Sequence, residues 1–341
     1  MRKKRFLVYA PNVHTGGGLT LLNDLLRAIG PHEYCIFWLD LRAKAHVFIR
    51  DNWEIHWVRN SFSSRFNAEF SLYKVSRAED IILCFHGLPP LFKNNGYVFL
   101  FLQNRLFLSA LSSFSFPLKT ILRLNVERFL SRIFSNHVNT YLVQTQSMRN
   151  LLYSWSNNLY LDVKVVPFCN ITTYKNNSNS VKWDFVYVAD GEAHKNHKTL
   201  IDSWVMLANN GIYPSLVLTL SDRDQNLKKW VRDQAGQFNL NIFDIGHIEH
   251  CEVNNLYGSS KALIFPSKCE SFGLPLIEAS CNNLPILASE LDFVRDVCCP
   301  VQTFDPNSAT SIFRSVKRFL EISEPPFVPM SARNFLDTLS N

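Results

Sequence analysis

The densest group of residues able to do chemistry is the string Phe265-Pro266-Ser267-Lys268-Cys269-Glu270-Ser271-Phe272-Gly273-Leu274-Pro275-Leu276-Ile277-Glu278-Ala279. It begins where an apolar strand pattern ends and runs into a helix pattern. Two carboxylates, Glu270 and Glu278, stand eight positions apart. Pro275 suits the first helical position, where its missing N–H would have had no intrahelical partner. The amides of Gly273 and Leu274 then point outward from a helix N-terminus, where free N–H groups and the helix dipole hold anions. A loop carboxylate, free amides and a second carboxylate on one rim can hold sugar hydroxyls, a pyrophosphate and a ribose diol in sequence. Taken alone, the glutamates have a plainer reading: Glu278 as an ordinary helix carboxylate and Glu270 as a solvated loop residue.

Other positions carry weaker signals. Lys195 lies in Asp190-Gly191-Glu192-Ala193-His194-Lys195-Asn196-His197, just before a helix pattern; there an ammonium adds a point charge to the free amides. Gly16-Gly17-Gly18 follows the first strand and opens the first helix, where the lack of a Cβ lets a ligand approach the backbone. The chain continues Leu19-Thr20-Leu21, so no G-x-G-x-x-G motif forms and a dinucleotide-dependent dehydrogenase loses its main support. His86 follows the apolar run Ile81 to Phe85 and precedes Gly87-Leu88-Pro89-Pro90, at the carboxyl end of a strand. Asn104 and Arg105 follow another such run, and His14 is a weaker candidate.

The string 265–279 resembles the Glu-x7-Glu signature of glycosyltransferase family 4, the retaining group 1 enzymes of GT-B fold, including the Phe-Gly-Leu-Pro between the carboxylates. Residues 188–201 are similar to the first loop of that family's donor domain. The resemblance implies transfer of a hexose-type sugar from a nucleotide diphosphate donor, with no cofactor and no obligatory metal. In that role Lys195 contacts the donor diphosphate, Gly17 and Gly18 approach the phosphates, and the Gly273 and Leu274 amides share their charge. Glu270 holds donor sugar hydroxyls, Glu278 accepts from the ribose diol, and His86 lies near the anomeric carbon, positioning acceptor or leaving group. The family often carries an arginine shortly before the lysine, but Asp190 stands here. That leaves the second diphosphate cation open among Arg105, His194 and Lys268.

The elements that must position these residues are legible as short apolar runs at Phe6 to Tyr9, Tyr34 to Leu39, Ile55 to Val58, Ile81 to Phe85, Tyr97 to Leu102 and Tyr141 to Gln144. Alternation with helical stretches predicts a parallel sheet covered on both faces. The pattern stops in the Asn- and Ser-rich stretch after Pro167 and restarts with strands at Phe185 to Val188, Ser215 to Leu220, Ile242 to Ile245, Ala262 to Phe265 and Pro285 to Ala288. We therefore expect an α/β protein of GT-B architecture, two Rossmann-like doubly wound domains facing a cleft. The expected acceptor-side domain spans 1–166, the linker 167–182 and the donor domain 183–326, with a C-terminal segment 327–341 packing back on the first domain.

Composition narrows the class. Of 341 residues 47% are hydrophobic and 19% charged, which excludes disordered, collagen-like and coiled-coil readings. The apolar runs are far too short to span a bilayer, and Met1 to Arg5 runs directly into a strand, so no secretion is expected. Eight scattered cysteines form no C-x-x-C pair, consistent with reduced, buried thiols in a cytosol. Residues 1–165 carry 20 Lys and Arg against 10 Asp and Glu, the remainder 15 against 19. A basic half beside an acidic one suggests that the first faces something anionic. Leu118 to Phe134 reads as a basic amphipathic helix able to lie on an anionic leaflet. The expected acceptor is a saccharide, lipid-pyrophosphate-linked, in surface-polysaccharide or O-antigen assembly on the cytoplasmic face of the membrane. No nucleic-acid recognition motif is present. A GT-B nucleotide-sugar epimerase and a non-catalytic GT-B scaffold are the competing readings.

Overall fold

The computed structural model describes residues 5–85, 87–108, 118–156, 160–169, 180–322 and 330. The N-terminal sheet is built from β1 (Phe6–Ala10), β2 (Cys35–Asp40), β3 (Glu54–Val58), β4 (Ile81–Cys84), β5 (Tyr97–Phe101), β6 (Thr140–Val143) and β7 (Val163–Val165). All its pairings are parallel, in the order β3-β2-β1-β4-β5-β6-β7. Among the described residues four α-helices accompany it: α1 (Gly16–Ala28), α2 (Phe62–Val75), α3 (Leu118–Ile133) and α4 (Gln146–Ser156). Strands buried on both faces need continuous apolar runs, and β2 reads Cys-Ile-Phe-Trp-Leu-Asp with every residue buried. On one face α1 packs Leu21, Leu22 and Leu26 against Val8, Phe37 and Leu39. On the other, Leu72 of α2, Leu124 of α3 and Met148 and Leu152 of α4 close over Leu7, Tyr9, Ile82 and Leu100.

The second sheet repeats the plan with β8 (Trp183–Tyr187), β9 (Leu216–Leu218), β10 (Ile242–Asp244), β11 (Ser260–Phe265), β12 (Ile286–Ser289) and β13 (Gln302–Phe304), ordered β10-β9-β8-β11-β12-β13 and again parallel. Its helices are α5 (His197–Asn209), α6 (Gln225–Phe238), α7 (His250–Gly258), α8 (Leu274–Cys281), α9 (Asp292–Arg295) and α10 (Ala309–Phe319). One core joins them, with Trp204 of α5 edge-on to Phe185 of β8 at 5.5 Å and Ile312 and Val316 of α10 buried beside them. The expected pair of Rossmann-like sheets facing a cleft, the GT-B architecture, is thus what the chain forms. In each sheet the strand order reverses at its first strand, between β1 and β4 and between β8 and β11, and ligands bind beyond the carboxyl ends of strands at such switch points.

Several details differ from the sequence reading. Strands β7 and β13 and helices α7, α9 and α10 were not anticipated: Val163-Lys164-Val165 and Gln302-Thr303-Phe304 are short and broken by polar residues, unlike the apolar runs around β9 and β10. In α7, Asn254 and Asn255 mask a helix whose start is held by a reciprocal Glu249–Glu252 capping box. Gly16 to Gly18 are the first turn of α1 itself, with Gly16 at φ 63°. Pro275 is the second residue of α8, behind Leu274, with Gly273 in the left-handed region as N-cap. Cys35, Cys84 and Cys269 are buried, but Cys299 is exposed, so burial does not extend to every thiol. His86, residues 170–179 of the linker, and 327–341 apart from Met330 lie outside the described residues, and with them the expected packing of the C-terminal segment. No helix among the described residues is long and apolar enough to cross a membrane.

Candidate active site

The loops leaving β8 and β11, neighbours at the second switch point, carry Lys195 and Glu270. Asn196 sits at φ 64° as N-cap of α5, a conformation asparagine tolerates because its short amide bonds locally. Its Nδ2 donates to the carbonyls of Pro266 (3.1 Å) and Pro306 (2.7 Å), and its Oδ1 accepts from Thr199 Oγ1. The Tyr187 hydroxyl donates to the Lys195 carbonyl at 2.7 Å, and the Lys268 amide to that of His194 at 2.9 Å. The backbone on both sides of the lysine is therefore pinned to the neighbouring loop.

So held, Lys195 Nζ donates to Glu270 Oε1 at 2.8 Å, and Ser267 Oγ donates to the same oxygen at 2.7 Å. The two side chains are 18% and 13% exposed. Burial alone raises a carboxyl pKa, but the Lys195 ammonium and the Ser267 hydroxyl more than offset it, and Glu270 titrates below the usual range. For Lys195, burial lowers the pKa and the carboxylates of Glu270 and Asp190 outweigh it, keeping the ammonium charged. His194 goes the other way: burial and the neighbouring Lys195 lower its pKa, and its Nδ1 has no hydrogen-bond partner.

Glu278 faces a different set of partners. Its Oε1 is 2.9 Å from His250 Nε2, and its Oε2 accepts from the Tyr257 hydroxyl at 3.1 Å. The Glu278 bond raises the His250 pKa above its ordinary value, against partial burial. Glu278, His250, Leu274 and Ile277, together with Thr20 and Asp24 of α1, line a small pocket of about 30 Å³ between the domains.

The N-terminal domain reaches the same loops. Arg105 Nη1 donates to the Glu270 carbonyl (3.4 Å), Thr145 Oγ1 to the Ser271 carbonyl (3.1 Å), and the Ser147 amide to Asp296 Oδ2 (2.8 Å). A Cβ on Gly17 would stand 3.0 Å from Leu274 Cδ1, so glycine lets α1 meet the start of α8. Gly18 is turned inward, where a Cβ would meet Gln103 of its own domain at 3.0 Å. Lys195 and Glu270 thus touch, Glu278 lies beside Leu274, and Gly17 abuts Leu274, whereas Gly18 faces away from the second domain and His14 stays with Asn12 and Asp40. Ser267, Thr145, Tyr257 and His250 were missed. Ser267 stood in plain view at a strand end; His250 and Tyr257 lie 28 and 21 residues from Glu278, and no spacing connects them.

Residues 171–328 match the family described as "Glycosyl transferases group 1". A serotype-specific mannosyltransferase of Escherichia coli, WbdA, is 31% identical over 96 residues, 28% of this chain. The chain spans only 12% of that relative's length. Among solved structures, HepE of Anabaena in complex with UDP and glucose superposes with a TM-score of 0.67 at 15% identity, covering 93% of this chain and 90% of that one. Sucrose-phosphate synthase from Thermosynechococcus elongatus gives 0.70 at 15% identity over the same shares. The lipopolysaccharide outer core galactosyltransferase WaaB gives 0.60 at 14%, covering 94% and 91%. At these identities the likeness establishes the GT-B fold.

Proposed function

We propose that this protein is a retaining glycosyltransferase that moves a hexose-type sugar from a nucleotide diphosphate donor to a saccharide acceptor. The observation that carries the reading is the partly buried Lys195–Glu270 pair beside the N-terminus of α8, at the switch point of the second sheet and contacted by the opposite domain. It agrees with the group 1 match over 171–328, which contains Lys195, Glu270 and Glu278.

Glu270 neutralises Lys195 when no donor is bound. A diphosphate, more highly charged than one carboxylate, draws the ammonium to itself and leaves Glu270 for the sugar hydroxyls. Glu278, oriented by Tyr257 and His250, accepts from the ribose diol. As the bond between the anomeric carbon and the phosphate oxygen breaks, Lys195 and the Gly273 and Leu274 amides take up the charge developing on the departing diphosphate. The acceptor oxygen bonds to the anomeric carbon from the same face. Its proton passes to the departing phosphate oxygen, so no separate base is assigned. With Asp190 at the family's arginine position, Arg105, His194 and Lys268 stay as candidates for a second cation.

The acceptor we infer is a lipid-pyrophosphate-linked saccharide at the cytoplasmic face of a membrane, in surface-polysaccharide or O-antigen synthesis. The surplus of positive charge in residues 1–165 supports an anionic acceptor, and the serotype-specific relative fits surface polysaccharide.

A thermal-shift panel of UDP, GDP, dTDP and CMP on the wild type and Glu278→Ala tests the donor site. A ligand at about a hundred times its Kd stabilises by roughly 2.7 kcal/mol, and the variant should lose most of that. Nucleotide release that depends on added saccharide then identifies transfer. Turnover of donor without acceptor favours an epimerase, and a panel without any shift defeats the reading in favour of a scaffold.

A further inference from the structure

Two helices on one face of the N-terminal sheet carry apolar side chains that stay exposed among the described residues. On α3, Leu122 (68% exposed), Val126, Phe129 (64%) and Ile133 recur at the spacing of a single helical stripe. At 100° per residue the stripe lies about 140–200° around the helix from Leu124, the side chain that packs on the sheet. It points away from the core and is not an edge of it. On α2, Phe62 (86% exposed), Phe66, Phe70 and Tyr73 form a second row, its last three rings gathered around Phe92 at 5.6–5.9 Å. The helices are neighbours in one layer: Ala68, Leu72 and Leu124 share a core cluster, and Arg65 of α2 acts electrostatically on Glu127 of α3.

The charge around these rows is mostly positive. Arg123 and Arg132 are exposed, one on each flank of the α3 stripe, and Lys74 Nζ stands 4.5 Å over the Phe70 ring. Of the acids of the two helices, Glu69 is buried and bonded to the Leu91 amide, and the partly buried Glu127 pairs with Arg123 at 3.9 Å, which leaves Arg132 and Lys74 unopposed by either. Exposed aromatic and aliphatic groups edged by cations match the depth profile of an anionic leaflet, acyl boundary below and headgroup phosphates above. A second copy of this chain is a poorer fit, because it would set two basic domains face to face.

We propose that the outer faces of α2 and α3 together form a docking surface for an anionic lipid bilayer. The proposal rests on the reading of a membrane-borne acceptor and adds where the membrane sits. Docking there holds the N-terminal domain at the headgroup plane, from which a lipid-linked saccharide enters the cleft.

The test is co-sedimentation of the full chain with phosphatidylcholine vesicles, with and without phosphatidylglycerol. Binding should require phosphatidylglycerol and weaken as salt rises. Arg123→Gln and Arg132→Gln should each lower vesicle affinity about fivefold, Phe129→Gln about tenfold or more, and Phe62→Ser with Phe66→Ser by a similar factor. Each variant should keep its circular dichroism and its nucleotide-induced thermal shift. Equal binding to neutral vesicles, no binding to either kind, or undiminished binding by the variants would overturn the proposal. So would a wild-type dimer that these substitutions dissociate, which would make the face a self-interface. Vesicle binding requires no turnover, so a failed nucleotide panel and a failed docking surface are read apart.

Discussion

Replacing Lys195 by Met and Glu270 by Gln, singly and together, tests whether the pair organises the site as the geometry implies. Removing one partner of a buried ion pair leaves an uncompensated charge, at about 3–5 kcal/mol where burial is complete. Here the side chains are 18% and 13% exposed and Glu270 keeps its bond from Ser267, which lowers the expected cost to about 2–3 kcal/mol for each single change. The double variant leaves no orphaned charge and should lie within about 2 kcal/mol of wild type, a coupling of at least about 2 kcal/mol. Urea unfolding of the four proteins measures it. The sign with pH follows from the directions of the shifts. Glu270, depressed in the folded state, contributes stability above the ordinary carboxylate pKa and loses it as pH falls through its lower folded value. Lys195, raised, contributes below the ordinary lysine pKa and loses it as pH climbs through its higher folded value. The coupling should therefore hold across neutral pH and vanish in acid. Turnover should not recover in the double variant, since the roles of lysine and glutamate in transfer are separate. Single costs that add to within about 0.5 kcal/mol would show that the pair does not interact and refute the reasoning.

Two further outcomes can be checked. Gly17→Ala places a methyl 3.0 Å from Leu274 Cδ1, so it should raise the donor KM several-fold while moving the unfolding midpoint by less than about 1 kcal/mol; an unchanged KM would mean the domains need not meet there. The His250 ring should titrate above the ordinary histidine pKa in NMR spectra and return toward it in Glu278→Gln, because the Glu278 bond is the main cause of its shift. A titration unchanged by that substitution would place the cause elsewhere.

The sequence by itself determined the class of the fold and one dense part of the site. Apolar runs of strand length separated by helical periods leave few alternatives to parallel sheets covered on both faces, because a strand buried on two sides must be apolar throughout. Residues 265–279 lie within one strand–loop–helix unit, so local chain geometry alone brings Glu270, Gly273 and Leu274 to a strand end, and they could be picked out together. Beyond that reach, tertiary structure decided. That Lys195 meets Glu270 depends on β8 and β11 being neighbours at the point where the strand order reverses, a property of topology that no spacing of 75 residues encodes. The partners of Glu278 come from α7, a helix whose polar sequence hid it, and the N-terminal contacts of Arg105 and Thr145 exist only because two separately folded sheets close on one loop. Even the direction of the His194 shift is a tertiary fact: burial, which the folded second domain provides, is the first cause that lowers its pKa, ahead of the adjacent Lys195.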